Sequence, residues 1–203
     1  MTTAEERRTR RAARTRREII DAGAALFERH GLVRTTVEQI AEQAGVSPAT
    51  VYSVAGGKAG VLSTLVDDFH SGALAVDVED LLARCASPVE VVTVLGATCA
   101  STPAYHRTLH IMFASAPHDE LAGAALDRAT RWFRPIVRRF AERVVELSDR
   151  PTGDPAPDPG AVADVLWFFF GWSAWEALRR DHDWSLEQRR DWLVALAVAA
   201  LAR

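Results

Sequence analysis

The side chains with the most to offer a partner cluster around two glycine turns near the N-terminus. Ser47, Pro48, Ala49 and Thr50 are four small residues in a row, followed closely by the phenol of Tyr52; Thr35 and Thr36 precede them and Lys58 follows. None pairs a nucleophile with an adjacent base, so their chemistry is recognition rather than bond making. Hydroxyls and backbone amides suit phosphate oxygens or base edges, and the Ala49 and Thr50 methyls suit a thymine methyl.

Groups that would support catalysis do not assemble in the sequence. His106 and His110 lie one helical turn apart, but Arg107 stands where a zinc-protease helix carries Glu. Gly56-Gly57-Lys58 is not a phosphate loop, because position 52 is Tyr, position 59 is Ala and no strand precedes it. Cys85 and Cys99 lack Cys-x-x-Cys spacing and read as small core residues in a reduced, cytoplasmic compartment, with one regulatory disulfide as the minority alternative. With no triad-like spacing and no acid/base pair that stands out, we expect no catalytic residues, no metal, no cofactor and no enzyme activity.

The elements that position the N-terminal cluster can be read from local signals. Ile19, Ile20, Gly23, Leu26 and Phe27 recur at three- and four-residue spacing, which predicts a helix from Arg17 to about His30. Thr36 with Gln39 is a capping box that opens a second helix, with Val37, Ile40, Ala41 and Ala44 as its buried stripe, and Gly45 ends it. Ser47 then caps a third helix with Pro48 at its first position. This helix runs to about Ser53, where Gly56-Gly57 breaks it before a fourth begins near Lys58. Two short helices joined by a tight glycine turn make a helix-turn-helix.

Charge is distributed to match. The net charge of −3 divides into +3 over residues 1–58 and −6 over the rest, and residues 1–17 hold seven Arg against two Glu. A polyanion is repelled by the acidic body, so nucleic acid would meet the N-terminal end. Residues 1–16 are expected to be a basic flexible arm, whose bland alternative is a solvated tail.

The segment from Arg17 to Leu62 resembles the DNA-binding domain of the TetR family of bacterial regulators. The matching residues are Ile19-Ile20, Ala22, Leu26-Phe27, Gly31, Thr35-Thr36-Val37, Ile40-Ala41, Ala44-Gly45-Val46-Ser47, Thr50-Val51-Tyr52, Lys58 and Leu62. The resemblance implies an all-α fold with a three-helix DNA-binding module at 17–62 and a helical ligand-binding and dimerisation bundle at 63–203. It implies DNA contacts from Arg17, Thr35, Thr36, Ser47, Pro48, Ala49, Thr50, Tyr52 and Lys58. Arg14 and Arg16 join Arg17 as candidates to track the backbone, and the amides at the Thr36 helix start are a second candidate phosphate clamp. Thr36 and Ser47 cap in either case, and Tyr52 either meets a phosphate or packs on the first helix. The chain departs from the family at Val54, Ala55 and Gly57, where the family usually has a ring, a Phe and a Ser or Asn. Loss of the Phe is expected to change the packing of that turn.

The remainder reads as helix throughout. Helices are expected from Pro88 to about Cys99, from Pro103 through Phe113, and from His118 to Ser148 with a kink or break at Pro135. A proline-rich loop at Asp149–Gly160 precedes a helix capped by Asp158 that runs through Arg180, and Ser185 with Gln188 opens the last. The apolar-rich runs Val165–Trp175 and Trp192–Ala202 span eleven residues each, too short to cross a membrane. The aromatic run Trp167-Phe168-Phe169-Phe170 surrounds its helix with rings, so it must be covered on two sides. One arrangement is a two-fold homodimer through Val165, Phe169, Trp172, Leu193, Leu196 and Ala200; the other encloses the helix within one chain. Tyr105, His106, His110, Phe113, Trp132, Phe133, Trp167 and Phe170 mix apolar walls with a few polar groups, as a small-molecule pocket does, or are plain core. The expected protein is a regulator, a repressor by preference, that binds a pseudo-palindromic DNA operator as a homodimer and is released by a small-molecule effector. A DNA-binding or interaction protein without a ligand is the alternative, and an enzyme is the more distant one.

Overall fold

The computed structural model describes residues 4–74, 77–101, 103–148 and 157–202, with side chains omitted at 4, 69–74 and 103–105. Among the described residues every regular element is a helix. The chain forms two compact units, residues 1–73 with 107–127, and residues 74–106 with 128–203.

The first unit is built on α1 (Ala4–His30), α2 (Val37–Ala44), α3 (Pro48–Ala55) and α4 (Gly57–Leu74). The local signals operate as expected. Thr36 Oγ1 accepts the Gln39 N–H while the Thr36 N–H donates to Gln39 Oε1, at 3.3 and 2.9 Å. Gly45 ends α2 at φ 68°, a left-handed conformation that a Cβ disfavours. Ser47 caps α3, with Pro48 in its first turn. Ile19, Phe27, Ile40, Val51 and Val61 are at most 1% exposed and form the centre of this unit.

The basic N-terminal residues are a different matter. The expected flexible arm is helical from Ala4 and continues α1 without a break. Its charges support this locally, with Glu5 and Glu6 in the first turn and Arg14–Glu18 paired one turn apart.

The second unit holds α5 (Val78–Ala83), α6 (Pro88–Ala100), α9 (Pro159–Phe170), α10 (Trp172–Asp181) and α11 (Leu186–Leu201). Helices α7 (Pro103–Ser115) and α8 (Glu120–Leu147) contribute to both units. Around α6, α9 and α11 the second core contains Leu95, Leu166, Phe170 and Leu193. The short α5, absent from the sequence reading, is tied to α8 by arginines. Arg143 donates to the carbonyls of Leu82 and Cys85, and Arg139 forks onto Glu79 at 2.8 Å.

Two expectations about helix ends need correction. Pro135 does not break α8, which runs through it uninterrupted. Pro135 is exposed, so water can reach the carbonyl its ring deprives of a donor, while Phe133, Val137 and Phe140 hold the stripe buried. The helix expected from Asp158 through Arg180 is two helices. Gly171 leaves helical geometry at ψ 164° and donates to the Trp167 carbonyl at 2.8 Å. A Cβ there would lie 2.5 Å from that oxygen, so only glycine permits this close approach. Of the expected loop at 149–160, residues 149–156 lie outside the described residues. Cys85 and Cys99 are buried free thiols, and burial pushes Cys99 up to about 12, so neither is a reactive thiolate.

Candidate nucleic-acid interface

Helix α3 is two-faced. Val51 and Ala55 are buried and anchor it, while Ser47, Pro48, Ala49, Tyr52 and Ser53 are exposed, Tyr52 by 61%. Thr50 is half-buried at the edge. The Ser47 and Thr50 hydroxyls lie 2.8 Å apart, and Ser47 Oγ also accepts the Thr50 N–H. Each hydroxyl carries one proton and only one is used between them, so the pair keeps an O–H to offer outward. Small residues at the N-terminal end and a phenol one turn later make a surface that can approach the floor of a groove while a phosphate is held at its rim.

The departures at Val54, Ala55 and Gly57 have a structural account. Ala55 is buried, and its carbonyl lies over Gly60: a Cβ on Gly60 would sit 1.8 Å from that oxygen. Gly57 takes φ 71°, and a Cβ there would be 2.9 Å from the Tyr52 ring, so the ring rests on bare backbone. The turn is thus closed by glycines in close contact rather than by a large aromatic anchor. Tyr52 packs on Gly57 instead of on α1 and keeps its exposure.

Several expected contacts are committed elsewhere. Thr35 is only 2% exposed and its hydroxyl donates to the Gly31 carbonyl at 2.9 Å, so it is a buried brace and is withdrawn as a DNA contact. Arg16 stays exposed but donates to the Val54 carbonyl and to Thr64 Oγ1, both at 2.9 Å, joining α1 to α3 and α4. Lys58 Nζ donates to the Leu32 carbonyl at 2.8 Å, capping the α1–α2 connection, an internal role the sequence did not suggest. At the start of α2 the Thr36 and Gln39 amides are already engaged. Gln39 N–H serves Thr36, and the Glu38 carboxylate is held below its usual range by its own backbone N–H and then by the Thr36 hydroxyl. A negatively charged side chain at this helix start opposes a second anion there. Arg14, Arg17 and Thr36 remain exposed, with Arg17 paired to Asp21 at 3.3 Å.

Of the expected pocket residues, Trp132, Phe133 and Trp167 come together, with Phe133 to Trp132 and Trp167 ring centres 6.3 and 6.0 Å apart. His106 turns instead to Trp175 and to the Cys99 carbonyl, Phe170 is buried beside Gly96, and His110 and Phe113 belong to the first unit. The side chain of Tyr105 lies outside the described residues. Two expected dimer residues are corrected as well. Trp172 and Leu193 are 7% and 2% exposed within the single chain, so they are core and cannot face a partner. Trp172 stacks on Phe133 at 4.8 Å and donates its N–H to Thr130. Phe168, missed by the sequence reading, is 72% exposed; Val165, Phe169, Leu196 and Ala200 keep partial or full exposure.

The short α2 and α3 joined at Gly45, with a buried inner face and a small-residue outer face, define the first unit as a helix-turn-helix domain. Its sequence agrees: residues 19–65 match the bacterial regulatory proteins of the tetR family. The HTH-type transcriptional regulator TtgR of Pseudomonas putida is 36% identical over 91 residues, which is 44% of this chain and 40% of TtgR. The matched segment is therefore under half the length of that curated relative. Across nearly the whole chain the fold is shared with SmeT, the repressor of the Stenotrophomonas maltophilia multidrug efflux pump SmeDEF, at TM-score 0.62 and 23% identity over 91% of this chain and 89% of SmeT. It is also shared with the ketosteroid transcriptional regulator KstR2 of Mycobacterium tuberculosis, at TM-score 0.68 and 20% identity over 91% and 93% of the two chains.

Proposed function

We propose that the chain is a cytoplasmic transcriptional repressor that binds a pseudo-palindromic operator as a homodimer and is released by a small-molecule effector. The observation that carries the reading is the outer face of α3, where Ser47, Pro48, Ala49 and Tyr52 are exposed over buried Val51 and Ala55. In this reading Ala49 and Thr50 touch base edges, Tyr52 and Arg17 touch phosphates, and Lys58 uses a donor left over from its bond to Leu32. That SmeT is a repressor supports repression here.

Dimerisation is supported by large apolar side chains left exposed on two helices that pack together, Phe168 on α9 and Trp192 and Leu196 on α11, at 72%, 43% and 37%. A two-fold four-helix contact through these side chains would cover them, and a symmetric pair of chains is what a pseudo-palindromic site calls for. An effector acts by favouring an arrangement of the two copies that no longer fits successive major grooves. Among the described residues no helix is long and apolar enough to cross a membrane.

The test is selection of genomic fragments by the full-length protein, then anisotropy titration of the selected duplex. We expect a two-fold symmetric site, affinity that falls steeply with salt, and loss of at least about a hundredfold on Thr50→Ala with Tyr52→Ala, from two lost contacts of about 1–3 kcal/mol each per protomer. Sedimentation should find that double variant still dimeric. A monomer that ignores duplex DNA at low salt refutes the proposal.

A further inference from the structure

One buried side-chain polar atom among the described residues has no hydrogen-bond partner: the indole Nε1 of Trp175, on a residue 4% exposed. The neighbouring indole on α10 shows the ordinary solution, since Trp172 is as deeply buried and donates to Thr130 Oγ1 at 3.1 Å. A buried N–H without an acceptor loses its hydration and gains nothing for it, so folded proteins rarely keep one.

The surroundings of Trp175 are aromatic and cationic. The His106 ring lies 4.8 Å from it, tilted by 46°, and is fixed by a 2.7 Å hydrogen bond between Nε2 and the Cys99 carbonyl. Burial holds this imidazole down to about 4, so it carries no charge at neutral pH. Beside it stands Arg189 of α11, close enough to act on the His106 titration. Arg189 is half-buried, its charge is disfavoured first by that burial and next by Arg179, and it makes no ion pair among the described residues. Arg179 is matched by Glu176, which it grips with two bonds of 2.9 and 2.8 Å. Glu176 also favours the Arg189 charge, and Arg189 Nε donates to the Ser185 carbonyl at 3.4 Å, so among the described residues no carboxylate is bonded to this guanidinium. On the same helix as Trp175, Trp172 continues into the rings of Phe133 and Trp167, at 4.8 and 6.1 Å.

We propose that Trp175, His106 and Arg189 are the polar end of a ligand site in the second unit, and that its occupant is a flat aromatic anion, a carboxylate or phenolate, whose oxygen accepts the Trp175 N–H and faces Arg189. The rings supply apolar walls, and the few polar groups set orientation and charge, the division of labour of small-molecule sites. This deepens the effector part of the proposed function and takes its biological meaning from that reading, but the binding itself is decided without DNA.

The probes are 2-naphthoate and its neutral isostere 2-naphthamide, titrated into full-length protein labelled with 15N at the tryptophans. Trp175→Phe identifies the resonance. The Trp175 indole signal should move downfield and saturate with naphthoate, while naphthamide binds about tenfold more weakly, because a charged acceptor makes the stronger bond. Arg189→Gln should weaken naphthoate about tenfold and leave naphthamide unchanged, a readout that stands even if Trp175→Phe does not fold. An indole signal that stays still at saturating naphthoate, as a buried water partner would leave it, overturns the proposal. Equal affinity for the two probes, or indifference to Arg189→Gln, overturns it too. Operator affinity is measured alongside. If naphthoate moves Trp175 but not operator binding, the site stands and its effector role falls; if the chain binds no operator at all, the regulator reading falls and the NMR result still decides the site.

Discussion

Gly60→Ala sets two physical effects against each other. In the first turn of a helix, replacing glycine by alanine should stabilise by up to about 1 kcal/mol, through reduced freedom of the unfolded chain and better helix propensity. At position 60 the new Cβ would lie 1.8 Å from the Ala55 carbonyl oxygen and 2.8 Å from its carbon, where real contacts do not fall below 3.0 Å. The α3–α4 connection must therefore open by about 1.2 Å, the difference between 3.0 and 1.8 Å, and the obstacle is backbone that cannot rotate away. Overpacking of this kind costs about 3 kcal/mol or slightly more, so the net loss is about 2 kcal/mol. Gly123, in the first turn of α8, is the matched control, because its Cβ would meet only the Ala116 carbonyl at an ordinary 3.6 Å. Thermal unfolding should show Gly60→Ala lowered by roughly 4–8 °C and Gly123→Ala unchanged or raised by roughly 2–4 °C. Because Ala55 anchors α3, Gly60→Ala should also weaken operator binding at temperatures where the protein is still folded. A Gly60→Ala protein as stable as Gly123→Ala, with parental DNA affinity, would refute the claim that close glycine contact sets the position of α3.

Three further outcomes follow from individual side chains. Glu38→Gln removes a carboxylate from the start of α2, and operator affinity should rise about threefold per protomer at low salt, by screened Coulomb repulsion from phosphate, with the gain fading as salt is added; an unchanged affinity places α2 away from the DNA. Lys58→Met keeps the stem but loses the bond to the Leu32 carbonyl, which should cost about 2 kcal/mol and lower the melting temperature by roughly 4–8 °C; weakened DNA binding with parental stability would make phosphate its main partner instead. His106 titrates near 4 in the folded chain, against about 6.5 when unfolded, so the unfolded state binds the proton first as pH falls. The stability this residue contributes is complete above about pH 6.5 and is lost between there and pH 4, by about 2 kcal/mol from pH 7 to pH 5. Denaturant unfolding of His106→Gln should lack that part of the pH dependence, and an identical slope in both proteins would contradict the burial of a neutral imidazole.

What the sequence determined by itself lies where three or four adjacent residues contain the whole interaction. Thr36 with Gln39, Ser47 with Pro48, Ser185 with Gln188 and the left-handed Gly45 were all legible because a cap or a turn is closed by its own neighbours. The outward face of α3 was legible for the same reason, since burying Val51 leaves Ser47, Ala49 and Tyr52 on the other side. Tertiary structure decided what distant residues do to one another. Lys58 and Arg16 reach carbonyls 26 and 38 residues away, and no local pattern marks a cation as a brace rather than a phosphate contact. Thr35 and Thr36 are neighbours of one type, yet packing buries the first and leaves the second exposed. The withdrawal of Trp172 and Leu193 from any interface depends on which apolar faces the single chain covers unaided. Hydrophobic attraction is non-directional, so an apolar run says that a surface must be buried but not by what. The unpartnered indole of Trp175 is the extreme case: a missing hydrogen bond has no sequence signature, because it is defined by every atom that packs around it.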